Sequence, residues 1–375
     1  MCILVLFPSL EVQAEPSIGA KSAILMETKT GTVLYEKDAD LRLSPASITK
    51  IMTVLLTMEQ IRKGNISLED QVIVSEHASS MGGSQVYLAE GEIQTLDTML
   101  KCIMVASGND ASVAVAEHIA GSEEAFVELM NQKAVELGMG NTHFVDCCGL
   151  SDSDEHYTSA RDVAVMSREL VINYPEIYHY STIWMEDITH ETKQGSSRFG
   201  LSSTNKLLKQ YQWTTGLKTG STGKAKYCIS ATATKDAMDM IAVVMGGDTS
   251  KGRFKEARAL LSYGFANCRM YQDLHEEKLK DCPVIGGTEN AVQLTYEAPF
   301  YYVDKAGRDL QEVRKEITLP ESIEAPISKG TPVGQVTYYI KEEKIGSVNI
   351  CALQDIPAAD YVDYFLKSLF LWLLH

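Results

Sequence analysis

The chain has 375 residues, 45% hydrophobic and 22% charged, an ordinary balance for a folded body long enough to bury two cores. Its 50 acidic against 34 basic side chains give a formal net charge of −16, which argues against nucleic acid as a partner and against purely electrostatic docking on anionic lipid. That balance is neutral toward a short peptide, and no internal repeat or low-complexity stretch stands out.

The N-terminus runs Cys2-Ile3-Leu4-Val5-Leu6-Phe7 and then Val12-Gln13-Ala14 before Glu15. A short apolar run followed by small residues reads as the end of a secretory signal peptide, residues 1–14, lacking the positively charged start. A buried first strand is the competing reading. Seven cysteines remain without Cys2, including the vicinal Cys147-Cys148, and none has disulfide-framework spacing, so export implies free thiols in a reducing habitat.

Lys29-Thr30-Gly31 lies between the β-type runs Ala23 to Met26 and Thr32 to Tyr35 and reads as a hairpin turn. Next comes a helix start: Ser44 can cap, Pro45 can be the first residue, and Ile48, Ile51, Met52, Leu55 and Leu56 recur at helical spacing. Ser47-Ile48-Thr49-Lys50 then falls in the first turn, where free N–H groups and the positive end of the helix dipole favour a developing anion. Lys50 shares the face of Ser47. It can act as a base for that hydroxyl only when neutral, which calls for burial or a neighbouring cation, and Lys218 is a candidate for the latter. Alone, the tetrad is equally a helix start with a solvated lysine.

An apolar helical run from Leu96 to Val105 ends at Ser107-Gly108-Asn109, and Asp110 opens another, which makes the triplet a helix-to-helix loop. Such a loop can turn one hydroxyl and one amide into a cleft, a pair suited to proton relay and to orienting a carbonyl. Ordinary capping is the bland alternative. Lys218-Thr219-Gly220 follows Trp213 to Leu217 and precedes the strand-like runs Tyr227 to Thr232 and Met240 to Met245, so it belongs to an antiparallel sheet. An edge strand there would offer backbone groups to an extended peptide, with Gly220 letting that substrate lie close. Gly216 to Lys224 imitates a phosphate loop, but Lys218 and Ala225 stand where that loop needs glycine and a hydroxyl, which excludes nucleotide.

Between Met270 and Pro283 helical spacing gives way to short strands, Val292 to Tyr296, Phe300 to Val303, Gln335 to Ile340 and Gly346 to Ile350, which read as a small all-β domain over 283–355. The tail 360–375 is mostly apolar, with Asp360, Asp363 and Lys367 on one helical stripe. It is too short to span a bilayer and suits an interfacial helix embedding Phe365, Leu369, Phe370, Trp372 and Leu373, or else a helix packed on the β domain. There is no Gly-x-Ser-x-Gly elbow and no Cys-x-x-Cys, and His190-Glu191 and His275-Glu276 lack a second metal-binding histidine. Neither a cofactor nor a metal is implied.

Ser47-x-x-Lys50, Ser107-x-Asn109 and Lys218-Thr219-Gly220, in that order, resemble the serine-type D-alanyl-D-alanine carboxypeptidases, low-molecular-mass penicillin-binding proteins. The resemblance extends from about Ala20 to Asn267 and includes Asn141-Thr142-His143-Phe144, Tyr157 to Asp162, Asn205-Lys206-Leu207-Leu208 and Gly252-Arg253-Phe254. It implies an α+β fold with a β-lactamase/transpeptidase-like catalytic domain over 15–270, an antiparallel sheet with helices on both sides, followed by a β-rich stalk.

For the site, the resemblance implies Ser47 as acyl-forming nucleophile, Lys50 as its base, Ser107 as proton relay and Asn109 as substrate-positioning residue. Lys218 would supply positive potential, Thr219 and Arg253 would hold a terminal carboxylate, and the N–H groups of Ser47 and Ser221 would form the oxyanion hole, with Gly220 between them. It further implies peptidoglycan stem peptides and β-lactams as ligands, and attachment of the exported enzyme to the outer face of the cytoplasmic membrane. A β-lactamase, an endopeptidase or a non-catalytic wall-binding protein on the same fold are the alternatives. The Glu-x-x-Leu-Asn deacylation signature of β-lactamases is absent between Asn109 and Lys218.

Overall fold

The computed structural model describes residues 14–193 and 195–365, so the leader reading before Ala14 and the tail residues Leu369, Phe370, Trp372 and Leu373 lie outside the described residues. The chain divides into two compact units between Asn267 and Cys268.

The first unit is built on five antiparallel strands, β1 (Ser22–Glu27), β2 (Val33–Lys37), β3 (Thr214–Thr222), β4 (Lys226–Lys235) and β5 (Met238–Gly247), in the order β2-β1-β5-β4-β3. Lys29-Thr30-Gly31 turns between β1 and β2, where Gly31 adopts φ 72°. Every residue of β1 is buried, because both faces of the sheet are covered. Ile24 and Met26 join the large core with helices α1 (Lys50–Arg62), α2 (Asn109–Ala120) and α3 (Ala160–Asn173), while Leu25 points the other way, toward Gly264 of helix α4 (Ser250–Asn267). β3 is an edge strand.

Helix α1 is the axis of this unit. Lys50 to Met58 are all buried, so the stripe of Ile51, Met52, Leu55 and Leu56 is part of a helix enclosed on every side. Threonines on the remaining faces bond internally, Thr53 Oγ1 to the Cys147 carbonyl at 2.5 Å and Thr57 Oγ1 to the Thr53 carbonyl at 2.8 Å. The expected cap from Ser44 is not made: a 3₁₀ turn, Ala46–Thr49, precedes α1, Pro45 takes its N-cap position, and no side chain caps it. Ser47 therefore sits in that tighter turn. A hairpin absent from the sequence reading, Met185–Thr192 with Gly195–Ser202, completes the unit.

The second unit is all β. Arg269–Asp273 pairs with Phe300–Asp304, and a four-stranded sheet runs in the order Leu294–Tyr296, Glu343–Ala352, Pro332–Ile340, Val313–Thr318. At its centre the fully buried Tyr338 stacks on Phe300 with ring centroids 3.9 Å apart, and its hydroxyl donates to Asp273 Oδ2 at 3.0 Å. Tyr338→Ala should destabilise this unit by about 3–5 kcal/mol. Tyr338→Phe, which removes only a hydrogen bond to a carboxylate, should cost about 1.5–3 kcal/mol. Urea unfolding followed by tyrosine fluorescence checks both, and a neutral Tyr338→Phe would show that the hydroxyl contributes nothing.

Candidate active site

The three sequence motifs meet where the 3₁₀ turn, the α2 entry loop and β3 converge. Ser47 Oγ lies 3.2 Å from Lys50 Nζ, and Nζ donates to Asn109 Oδ1 at 2.6 Å and to the Cys148 carbonyl at 2.8 Å. A neutral amine has two N–H bonds and one lone pair. Asn109 and Cys148 take the two N–H bonds, which leaves the lone pair to face the Ser47 hydroxyl.

Lys50 is fully buried, and burial lowers its pKa; Cys148, Cys147, Asp146 and Asp110 pull in the opposite direction. Burial pushes the Cys147 thiol well up, so it stays protonated and its pull on Lys50 is absent at neutral pH. Lys218 is lowered further, first by burial and then by the positive charges of Lys50 and Arg253. The mutual repulsion of the two lysines is evident at Lys218, whereas at Lys50 burial is the leading cause, the first of the two alternatives that the sequence left open.

A second set of contacts begins at Ser107. The helix Leu96–Lys101 runs into a π-helical turn, Cys102–Ala106, which ends with Ser107 in the left-handed region at φ 63°, ψ 33°. Non-glycine residues seldom adopt that conformation, and here the surroundings enforce it. Ser107 Oγ accepts a 2.7 Å hydrogen bond from Lys218 Nζ, which also donates to the Thr219 carbonyl at 3.1 Å. Because Lys218 donates, the proton of Ser107 remains available. Asn109 is turned inward, its Nδ2 donating to the Gly82 carbonyl at 2.7 Å, so its first task in the structure is to hold Lys50. Asp110 accepts from the backbone of Val86 and Leu88 and pins the loop that supplies Gly82.

On β3, Thr219 Oγ1 donates to Thr204 Oγ1 at 2.8 Å, and Ser221 is exposed at the strand end. Gly220 corrects an expectation. A Cβ there would stand 2.8 Å from Ser47 N, 2.9 Å from Ile48 N and 2.9 Å from the Pro45 carbonyl oxygen, so its bare Cα admits the nucleophile turn, whereas sequence reasoning reserved that space for substrate. Arg253 lies behind the strand, with Nη1 donating to the carbonyls of Gly220 at 2.8 Å and Cys228 at 3.1 Å. Its Nε is buried without a partner. The guanidinium therefore braces β3, and its Nη2 makes no hydrogen bond to a described residue.

Sequence reasoning missed the other wall of the turn. At Gly149, φ is 79° and a Cβ would fall 1.9 Å from the Ala46 carbonyl oxygen, so only glycine fits. His156, to which the sequence assigns no role, is buried with Nδ1 accepting from the Val145 N–H at 3.0 Å. That contact makes Nε2 the protonated nitrogen, donating to Thr49 Oγ1 at 2.9 Å, and Thr49 in turn donates to the Ala46 carbonyl at 2.9 Å. The chain of bonds ends one peptide before Ser47. The vicinal Cys147-Cys148 serve through their carbonyls, and all seven described cysteines are buried.

Burial lowers the His156 pKa below its ordinary 6.5, opposed by Asp146. The stability it contributes is present above the unfolded value and is lost as pH falls through the lower folded value. Between about pH 7 and about pH 5 the urea midpoint should fall, and His156→Gln, which does not titrate, should fall less. Equal slopes for the two proteins would refute the neutral, bridging histidine.

Comparison with known proteins bears on the same residues. Residues 10–249 match the D-alanyl-D-alanine carboxypeptidase family and residues 272–358 the C-terminal domain of penicillin-binding protein 5. The chain is 41% identical over 359 residues to D-alanyl-D-alanine carboxypeptidase DacF of Bacillus subtilis, covering 94% of this chain and 90% of that one. It is 33% identical to DacA of Escherichia coli strain K12, covering 95% and 89%. Its structure superposes on penicillin-binding protein 5 of Haemophilus influenzae with a TM-score of 0.77 at 32% identity, covering 92% of this chain and 99% of that one. With the three motifs gathered at one turn and this similarity running through both units, the chain belongs to the D-alanyl-D-alanine carboxypeptidase family.

Proposed function

We propose that the protein is a serine-type D-alanyl-D-alanine carboxypeptidase that removes the terminal D-alanine from peptidoglycan stem pentapeptides, and that β-lactams acylate the same serine. The observation that carries this reading is Ser47 Oγ 3.2 Å from the buried Lys50 Nζ, whose N–H bonds are occupied elsewhere. Family membership supports the reaction class.

Ser47 Oγ attacks the carbonyl carbon of the penultimate D-alanine while its proton passes to the Lys50 lone pair. The oxyanion faces the N–H groups of Ser47 and Ser221, which the bare Cα of Gly220 lets approach one another. As the carbon–nitrogen bond breaks, the Ser107 hydroxyl protonates the leaving amine and recovers a proton from Lys50, steadied throughout by Lys218. Lys218, Thr219 and the unengaged Nη2 of Arg253 attract the carboxylate of the departing D-alanine. Water then attacks the ester, gives its proton to Lys50, and Ser47 is released with its hydroxyl restored. No step calls for a metal or a cofactor.

The same reading makes the protein an exported one that works at the outer face of the cytoplasmic membrane and is held there by its tail. In support, the start of the tail helix is exposed and apolar, with Tyr361 94%, Phe365 65% and Val362 61% accessible. No helix among the described residues is long and apolar enough to cross a membrane.

Purified protein should release D-alanine from a diacyl-L-Lys-D-Ala-D-Ala peptide and become covalently labelled by a fluorescent penicillin. Ser47→Ala should lose labelling and slow release by on the order of 10⁴-fold or more. Labelling of wild type without release would favour an endopeptidase or a sensor, and labelling that persists in Ser47→Ala would remove Ser47 from the mechanism. Deletion of residues 361–375 should move the protein from the membrane to the soluble fraction with labelling intact; unchanged fractionation would end the anchoring idea.

A further inference from the structure

Away from the Ser47 cluster, a groove of about 890 Å³ runs between helix α4 and the segment that follows Asn205. Its cations are Lys206, Lys251, Lys255 and Arg258, and all four are exposed. Lys251, Lys255 and Arg258 stand at positions i, i+4 and i+7 of α4, one face of the helix, with Ser262 a turn further on. A charged helix face is usually a solvated one, but three observations set this face apart.

No carboxylate among the described residues lines the groove. In a chain with net charge −16, several surface cations have acidic partners, as Lys63 does with Glu59, Lys101 with Asp97, Arg161 with Asp40 and Lys224 with Asp154. The four groove cations have no such partner among the described residues. Finally, Glu256, next in sequence to Lys255, lies on another face of α4, where it accepts from the N–H groups of Gly19 and Ala20.

We propose that this groove is a docking site for a linear polyanion of phosphodiester groups, a polyol-phosphate chain without bases. Successive cations one turn apart on the helix offer charges at roughly 6 Å intervals, in register with an extended polymer and wasteful for a single compact anion. The one aromatic residue in the lining, Phe254, is buried, so no platform exists on which a nucleic acid base could stack. No large apolar side chain is exposed in the lining to enter a lipid surface. Gln210, Ser250 and Ser262 supply uncharged polar groups suited to the hydroxyls between phosphates.

The groove shares its backbone with the walls of the catalytic strand. Lys206 follows Asn205, whose Nδ2 donates to the Gly216 carbonyl, and Lys251 precedes Arg253, which braces Gly220. A bound polymer would thus lie beside the substrate strand and raise the local concentration of the enzyme along an anionic matrix.

The test compares the full chain with the variant Lys206→Gln/Lys251→Gln/Lys255→Gln/Arg258→Gln, using fluorescent oligo(glycerol phosphate) and anisotropy at increasing salt. With four phosphate contacts and a slope of about 0.7 per contact, wild-type affinity should drop roughly 50-fold for a fourfold rise in salt. The variant should bind on the order of 100-fold more weakly at low salt. Equal binding by both proteins, or no binding by wild type, overturns the proposal, as does preference for phosphatidylglycerol vesicles or a single-stranded oligonucleotide of equal charge. Penicillin labelling should be the same in both proteins, which keeps this outcome separate from the fate of the proposed activity. Should the fourfold variant lose labelling, Lys255→Gln alone decides, and it must reduce the salt slope by about one contact.

Discussion

A lysine nitrogen sealed from water beside a serine hydroxyl is the constraint on which the catalytic unit depends. An ammonium group buried in this way is costly, and the fold meets that cost by shifting the equilibrium toward the amine and supplying acceptors for both of its N–H bonds. That requirement accounts for much of the surrounding architecture. Helix α1 must be enclosed on every side so that Lys50 is dry, the α2 entry loop must bring Asn109 inward, and the Cys147-Cys148 segment must present carbonyls to the same helix. Lys218 adds a second buried nitrogen close by, so the site holds two groups whose charged forms are disfavoured. The unit is less stable for it, the usual exchange of stability for reactivity at an active site.

How much of this was legible beforehand depended on whether side chains or backbone did the work. Ser47, Lys50, Ser107, Asn109 and Lys218 announce themselves by residue type and order, and the structure gathers them. The strand-like runs after Lys218-Thr219-Gly220 likewise foretold an antiparallel sheet, and the shift to short strands after Met270 foretold an all-β second unit. The carbonyls of Cys148 and Gly82 had no signature, because every residue carries one; the pair of cysteines drew attention to sulfur and away from their carbonyl oxygens. His156 was hidden for a related reason, since its partners, Val145 N–H and Thr49, become neighbours only after folding. Ser44 misled because local capping preference gave way to the tighter turn that packing imposes at Pro45.

Electrostatics operates on this molecule at two scales. The overall negative charge is a long-range property that decides what the protein avoids, whereas recognition is decided within a Debye length by local groups. Arg253 sets a guanidinium charge behind the substrate strand, and the α4 groove makes a positive exterior nearby. Both lie in a chain of net charge −16, so they are local exceptions to its overall sign.

The two glycines that press on the Ser47 turn have a consequence for how such a protein can change over time. Gly149 and Gly220 hold that turn from opposite sides with no room for a single carbon atom, while the hydroxyl they position is one small, interchangeable group. Mutation can therefore explore chemistry at the nucleophile more freely than it can explore shape around it. A descendant with a thiol in place of the serine hydroxyl could keep its fold, whereas one with alanine in place of either glycine would first have to rebuild the turn. The shape of the turn is constrained most tightly by two residues that have no side chain.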